Sequence, residues 1–376
     1  MALGAANVST RVAQLYRLFP LRRRVSITYQ YFDSELMMTL SRYRFFGAVL
    51  AISTLPMTAM SVKAQTVQET LTVMSWGITQ SALKVVNEDF TRQTGVKVRL
   101  IAQTGSAEGL SRLQSMRDAP SVDVWMSTAA VAERAFTDKQ LFVPLPTDKM
   151  PNLKTLAPGL ATSGYASIYT YPLSIGYRTD AIKTPIASWS DLWKPEFKGK
   201  LGLPDITAYQ GRILLLAEAV GGQPGSVETG FDTLKKLKPN IAMFYSSDAE
   251  ARQALAQGDV SVLVETPAHL KRVNDAGVPL TIVSPKGTLM NSDVAMIVNT
   301  PNAARAASYI NFLLDKKNNT QIGEILNMAP ANRESTMPEA LAKVMPSAGD
   351  AVVPDETEIN KNIAAWDSRF KRDIAP

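Results

Sequence analysis

Some polar residues directly follow runs of apolar residues, at places where a strand is expected to end. Glu265 follows an apolar run that begins at Val260, which puts a carboxylate at a strand end. A buried carboxylate needs a partner, and a cationic group of a ligand could supply it. Trp76 ends an earlier apolar run, and the face of its ring suits a cationic or apolar ligand group. Glu265 is the best single candidate for a ligand contact, while Trp76 lies either in the core or beside the ligand.

Other polar residues occupy comparable positions at strand ends and helix starts, and Asp293 lies near the expected return crossing between the lobes. These further candidates for ligand contacts are Ser106, Ser127, Asp205, Tyr209, Ser247 and Asp293. The three serines have an ordinary alternative role, since serine often caps the start of a helix. The free N–H groups of a helix start can also bind an anion, so a capped turn can hold an acidic ligand.

The motifs argue against catalysis. The sequence contains none of the HExxH, GxSxG, GxGxxG and Walker A patterns. It has no cysteine, which excludes disulfides, thiolate metal sites and cysteine nucleophiles, and the single His269 excludes a histidine-rich metal site. An exported hydrolase is the main enzyme alternative, because paired carboxylates can cleave glycosides, but no spacing identifies such a pair. We predict no catalytic residue, no metal site and no cofactor.

The positive charge of the chain is concentrated near its N-terminus. The formal net charge is +6, and residues 1–64 contain eight basic and two acidic residues. Residues 65–376 contain 32 basic and 32 acidic residues, so they carry no net charge. We therefore exclude nucleic acid as a partner. The length of 376 residues is sufficient for two domains.

Residues 1–64 are predicted to be a leader. Basic residues precede an apolar run, 45–60, that is short for a membrane span. Small residues at the last and third-last positions fit cleavage by signal peptidase after Ala64, which predicts export to the periplasm. Residues 37–64 have the length of a signal peptide, so residues 1–36 are expected to be upstream sequence. The alternative is a cytoplasmic extension with a signal anchor.

Apolar strands alternate with amphipathic helices along the rest of the chain. The first series has predicted strands at 71–76, 96–102 and 122–126, and helices at 79–94, from 106 onwards and at 128–139. Later strands are predicted at 201–203, 241–245, 260–264, 280–283 and 294–298, and helices at 211–220, 231–237, 248–257 and 303–314. This alternation is typical of parallel α/β units, which bind ligands at the carboxyl ends of their strands.

The stretch 188–205 (SWSDLWKPEFKGKLGLPD) carries a resemblance to a known family. Its aromatic residues Trp189, Trp193 and Phe197 recur every four residues, which predicts a short helix with its aromatics in the core, before a turn at Gly199. The stretch resembles a passage of the periplasmic solute-binding proteins (family 1, type II) that serve ABC importers, especially their spermidine/putrescine branch. Similar passages occur at 234–244, 257–260, 310–314 and 354–360.

The resemblance implies an α/β fold of two lobes, with crossing strands between them and a ligand cleft where they meet. It implies that lobe 1 comprises residues 65–171 and 293–328, and lobe 2 residues 172–292 and 329–376. It also implies a periplasmic monomer that binds a small molecule without turnover, closes like a hinge and delivers its ligand to a membrane permease.

The sequence departs from polyamine receptors at the positions that hold their ligand. Where they carry an aspartate and a glutamate, this chain has Ile206 and Tyr209, and the strand ending at Glu265 lacks their tryptophan. Near the return crossing, residues 290–292 replace their tryptophan and aspartate, with Asp293 one place on. The adjacent tyrosines of related iron receptors are also missing. A small zwitterion or monocation therefore remains open as the ligand, and so does an anion held by the serine-capped helix starts.

Overall fold

A computed structural model describes residues 69–347 and 349–375. The predicted leader lies outside the described residues. Among the described residues, no helix is both long and apolar enough to cross a membrane.

The strands and helices follow the predicted alternation closely. The strands are β1 (Thr70–Trp76), β2 (Lys97–Gln103), β3 (Val124–Thr128), β4 (Phe142–Val143), β5 (Ala166–Pro172), β6 (Ser174–Arg178), β7 (Leu201–Pro204), β8 (Ile241–Tyr245), β9 (Val262–Glu265), β10 (Leu280–Val283), β11 (Thr288–Val298), β12 (Ala329–Pro330) and β13 (Ala351–Val352). The α-helices are α1 (Gly77–Thr94), α2 (Ser106–Ser115), α3 (Ala129–Ala135), α4 (Arg212–Val220), α5 (Val227–Leu237), α6 (Asp248–Gln257), α7 (Pro267–Asp275), α8 (Ala303–Leu313), α9 (Lys316–Leu326), α10 (Glu339–Ala342) and α11 (Glu356–Asp373).

Two separate sheets organise the fold. The first has the strand order β12-β5-β11-β3-β1-β2, with β4 and β13 also paired to β11. Strand β1 is parallel to β2 and β3, as the sequence predicts, and β11 runs antiparallel to β3 and β5. The second sheet has the order β10-β6-β9-β7-β8, in which β7 is parallel to β8 and β9. The predicted α/β fold with two lobes is confirmed.

The chain passes from one sheet to the other at two places. Strand β5 ends in the first sheet at Pro172, and β6 begins in the second sheet at Ser174. The return runs from β10 to β11. The lobe boundaries remain a prediction, and residues 329–330 pair with β5 of the first sheet.

Two short 3₁₀ turns form in the first part of the stretch 188–205, where the sequence predicts a helix. Strand β7 follows them. The turns span Trp189–Trp193 and Pro195–Phe197, and Pro195 ends the first because proline disfavours helical geometry in the residue before it. Trp189 and Phe197 are buried in the core, as expected. Trp193 is half-buried and donates its indole N–H to the Thr233 carbonyl at 2.9 Å.

Helix α11 packs against helices that follow strands of both sheets. The Asn360 side chain donates to the Ala130 carbonyl in α3 at 2.7 Å. At its first turn, Glu356 pairs with the buried Arg212 of α4. Trp366 lies against Gly211, where an added Cβ would stand 2.9 Å from the indole ring and the positive φ of 79° also favours glycine. The C-terminal helix thus joins structure around both sheets.

Candidate functional site

A cavity of about 630 Å³ lies where strand ends and helix starts of both sheets meet. Its wall includes the residues Trp76, Thr79, Ser106, Thr128, Arg134, Tyr169, Tyr171, Tyr209, Arg212, Ser247, Asp248, Arg252, Thr266, His269, Arg272, Asn291 and Asp293. The size suits a small molecule, and clefts between lobes are preferred ligand sites.

Tight connections bring the helix starts to this cavity. Helix α1 begins directly after β1, and α3 directly after β3. Helix α6 follows β8 after two serines, and α7 follows β9 after Thr266 alone, with Pro267 at its first turn. Proline suits that position because a backbone N–H there has no acceptor within the helix, so nothing is lost when proline lacks it. The parallel strands therefore deliver four helix starts to one place.

Asp293 contributes a buried carboxylate from β11 of the first sheet. The pairing of β11 with β5 places it opposite Tyr169, beside a bulge between Asp293 and Val294. The hydroxyl of Tyr171 donates to Asp293 Oδ1 at 3.0 Å. Burial raises the pKa of Asp293 to about 7, with a contribution from the charge of Asp248, although hydrogen bonds from the two tyrosines act in the opposite direction. Asp293 thus changes charge near neutral pH.

Asp248 contributes a second carboxylate from the start of α6. The Tyr209 hydroxyl oxygen lies 3.2 Å from Asp248 Oδ1, and His269 Nδ1 lies 3.6 Å from Asp248 Oδ2. Burial and the nearby charge of Glu265 raise the pKa of Asp248 to about 6, which His269 partly offsets. The cavity therefore has two carboxyl groups whose ionised forms lack a full countercharge.

One carboxylate oxygen of Glu265 has its partners inside the protein, while the other, Oε2, is buried without a hydrogen-bond partner among the described residues. Glu265 is fully buried, and its Oε1 accepts hydrogen bonds from Tyr209 Oη at 2.5 Å, Thr266 N at 2.6 Å and His269 Nδ1 at 3.1 Å. Burial alone would raise the pKa of Glu265, but His269, Tyr209 and the Thr266 N–H outweigh it and hold this pKa below the ordinary value. Glu265 thus orients Tyr209 and His269, which line the cavity.

Four arginines also line the cavity, in two different states. Arg134 donates to Asn360 at 3.1 Å, and Arg212 pairs with Glu356. Arg252 and Arg272 make no ion pair or hydrogen bond with any residue in 69–347 or 349–375. Their guanidinium groups are therefore available to a ligand.

The structure brings most of the predicted site residues together. Trp76, Ser106, Tyr209, Ser247 and Asp293 line the cavity. The remaining predicted residues do not lie in its wall. Ser127 is fully buried, Glu265 is buried as described, and Asp205 Oδ1 accepts the backbone N–H groups of Thr207 and Ala208 at 2.7 and 2.8 Å.

Sequence reasoning missed several residues of the cavity wall. Asp248 and Arg252 are four residues apart on one helix that begins after Ser247, so their shared face could have been recognised. His269 follows Glu265 by four residues, but its role depends on the side-chain contact. Tyr169 and Tyr171 alternate along a crossing strand, which places both on the same face of β5.

One cluster has the donor atoms to coordinate a metal ion. Asp248, Glu265 and His269 each offer one ligand atom, and these atoms lie within 4.8 Å of one another. The side chains of these three residues also make the contacts described above. We therefore interpret Asp248 and Glu265 as the groups that hold Tyr209 and His269 in place.

Comparison with known proteins places the chain among binding proteins. It is 26% identical over 291 residues to the spermidine/putrescine-binding periplasmic protein of Escherichia coli K12. The matched region covers 73% of this chain and 80% of that protein. It is also 26% identical over 309 residues to the gamma-aminobutyric acid-binding protein of Pseudomonas aeruginosa, covering 77% and 85%.

Known structures and a family profile agree with these relatives. The crystal structure of an ABC transporter protein from Clostridium perfringens ATCC 13124 superposes with a TM-score of 0.69 and 25% identity, covering 81% of this chain and 99% of that one. The profile of bacterial extracellular solute-binding proteins matches residues 86–345. The predicted resemblance is confirmed, and the chain belongs to the family of bacterial extracellular solute-binding proteins.

Proposed function

We propose that this protein is the periplasmic receptor of an ABC importer and that it captures a small solute with a positively charged amino group. The observation that carries the proposal is the convergence of Asp248 and Asp293 on one cavity from different sheets. The names of the relatives from E. coli and P. aeruginosa, which refer to amino compounds, support it.

The chemistry of the cavity suits an ammonium group. Binding a cation favours the ionised forms of Asp248 and Asp293, whose pKa values burial raises in the unliganded protein. Aromatic rings complete the surroundings, from Trp76, Tyr169 and Tyr171. A cation over an aromatic face gains roughly 0.5–2 kcal/mol, most when water is excluded.

The receptor role has further consequences. The protein is exported by its leader, acts as a monomer, passes its ligand to a membrane permease and does not chemically change it. Nucleic acid is not a partner. The family membership supports solute binding, and the charge balance of residues 65–376 supports the exclusion of nucleic acid.

A thermal-shift screen of amines, amino acids and organic acids, with a turnover assay on the same compounds, tests the proposal. We expect at least one amine-bearing compound to raise the melting temperature, with no turnover. Asp275→Asn is the control variant, since Asp275 pairs with Lys271 away from the cavity wall. Stabilisation by purely anionic compounds alone, or turnover of a bound compound, would contradict the proposal.

A small organic anion is the second candidate ligand. The free guanidinium groups of Arg252 and Arg272 favour it, because two unpaired cations attract an acidic group. Under this alternative, the carboxyl groups of Asp248 and Asp293 would stay protonated in the complex.

A further inference from the structure

We propose that Arg252 and Arg272 form a subsite for an acidic group, so that the solute is a zwitterion with an amino group at one end and a carboxylate or phosphonate at the other. This inference rests on the proposed function, which places the amino group beside Asp248 and Asp293. It excludes diamines and longer polyamines as the preferred ligands.

The two arginines come from neighbouring helices of the second-sheet side. Arg252 lies one turn into α6, and Arg272 lies in the second half of α7, which packs against α6. Both line the cavity, and neither has an ion-pair or hydrogen-bond partner in the described part of the chain. Burial and the charge of Arg252 together lower the pKa of Arg272, so the two groups lie close enough to repel. An anion between them removes this repulsion.

The other cavity arginines already have structural roles, which sharpens the assignment. The Arg212 guanidinium pairs with Glu356, and Arg134 donates to Asn360, both in α11. Because Asn360 is neutral, Arg134 keeps its charge at the cavity, whereas the pair on α6 and α7 presents two guanidinium groups that have no partner among the described residues. A planar guanidinium donates two parallel N–H bonds to a carboxylate or phosphonate, which a lone ammonium cannot do.

Nearby polar atoms without partners are also consistent with an acidic group. Thr266 and Asn291 line the same cavity, and their Oγ1 and Nδ2 atoms are buried without a hydrogen-bond partner among the described residues. Both atoms are donors that a side-chain rotation toward the cavity would present to an acceptor on the ligand. A ligand whose only polar groups are ammonium groups has no acceptor atom for these donors.

Spacing along α6 limits the length of the ligand. Asp248 and Arg252 are four residues apart, so their Cβ atoms are about 5–6 Å apart on one face of the helix. An amino group at Asp248 and an acidic group at Arg252 therefore suit a small ligand whose two charged groups are joined by a short chain. A diamine of that length would put its second ammonium beside two guanidinium groups.

Titration calorimetry on the protein purified from the periplasm, expressed with its own leader, tests the inference. The probes are 2-aminoethylphosphonate and 4-aminobutyrate, with 4-aminobutanamide and putrescine as matched compounds that lack the negative charge. We expect at least one zwitterion to bind about tenfold or more tightly than both matched compounds. In Arg252→Gln/Arg272→Gln, the preference should disappear because zwitterion affinity falls about tenfold or more while putrescine affinity does not fall.

Lys271→Gln is the control for loss of a positive charge, because Lys271 neighbours Arg272 but pairs with Asp275 outside the cavity wall. It should keep the zwitterion preference. Putrescine binding as tightly as both zwitterions, or no zwitterion binding below about 1 mM, overturns the inference. Tight putrescine binding would leave the proposed amine receptor intact. Butyrate binding as tightly as 4-aminobutyrate would instead overturn the amine receptor and leave the arginine subsite.

Discussion

The two walls of the cavity differ in their chemistry. The wall from the first sheet is mainly aromatic and hydroxylic, and its charged groups are those of Asp293 and Arg134; the others are Trp76, Thr79, Ser106, Tyr169 and Tyr171. The wall from the second sheet carries Asp248, Arg252, His269 and Arg272 on the faces of α6 and α7. The charged wall can bind both ends of a polar solute, while the aromatic wall covers it and adds one carboxylate.

The two walls are expected to contribute differently to ligand preference. The aromatic wall contributes area and cation–π contact that tolerate several amino compounds. The charged wall decides which charges the solute must carry, because each charged group of an enclosed solute needs an opposite partner there. Changes in ligand preference are therefore expected mainly from residues of α6 and α7.

The largest effect should come from removing the carboxylates of both walls. Asp248→Asn and Asp293→Asn should each weaken binding of the best amine from the screen by about 2–5 kcal/mol, because each removes one of the two carboxylates that face the ammonium. Calorimetry measures both affinities, with Asp275→Asn as the control. An effect in only one variant would show that a single wall binds the amino group.

Binding should also strengthen as the pH rises. In the unliganded protein the pKa of Asp293 is about 7 and that of Asp248 about 6, so both hold protons in acid. An ammonium group favours the ionised carboxylates and displaces these protons, so affinity should rise by about tenfold to a hundredfold from pH 5.5 to 7.5. Proton release, measured by calorimetry in buffers of different ionisation enthalpy, checks this. Proton uptake on binding would contradict it.

Glu265→Gln should affect stability more than recognition. The variant weakens three buried hydrogen bonds to Glu265 Oε1, which should cost about 1–3 kcal/mol. A loss of this size lowers the melting temperature of the ligand-free protein by several degrees, at about 2–4 °C per kcal/mol. Because the pKa of Glu265 is held low, its stabilising effect should be present at neutral pH and decline in acid. An unchanged melting temperature with a large loss of affinity would make Glu265 a direct ligand contact.

Periodic patterns predicted the fold and pointed to several residues that line the cavity, for local reasons. Strand ends and helix starts are visible in the sequence, and they locate Trp76 and Ser247, whereas Asp293 lies in the middle of β11. The sequence could not show that Glu265 turns toward Tyr209 and His269, since that depends on packing between α6, α7 and β9. The 3₁₀ turns at 188–197 differ from the expected helix because Pro195 interrupts it.

The joint placement of Arg252 and Arg272 could not be predicted for a related reason. The sequence pattern around each arginine is typical of an exposed helix residue. Only the packing of α6 against α7 brings both to the cavity. The same holds for Arg134 and Arg212, whose partners lie in the C-terminal helix α11. Long-range contacts of this kind decide which charges are free.

We propose that a small amino compound is enclosed between the two walls, which differ in their chemistry. Small-angle X-ray scattering of the protein, with and without a saturating amount of the best compound from the screen, tests it most directly. We expect the radius of gyration to decrease on binding, as hinge closure brings the two sheets together. An unchanged radius of gyration at saturation would contradict enclosure between the walls.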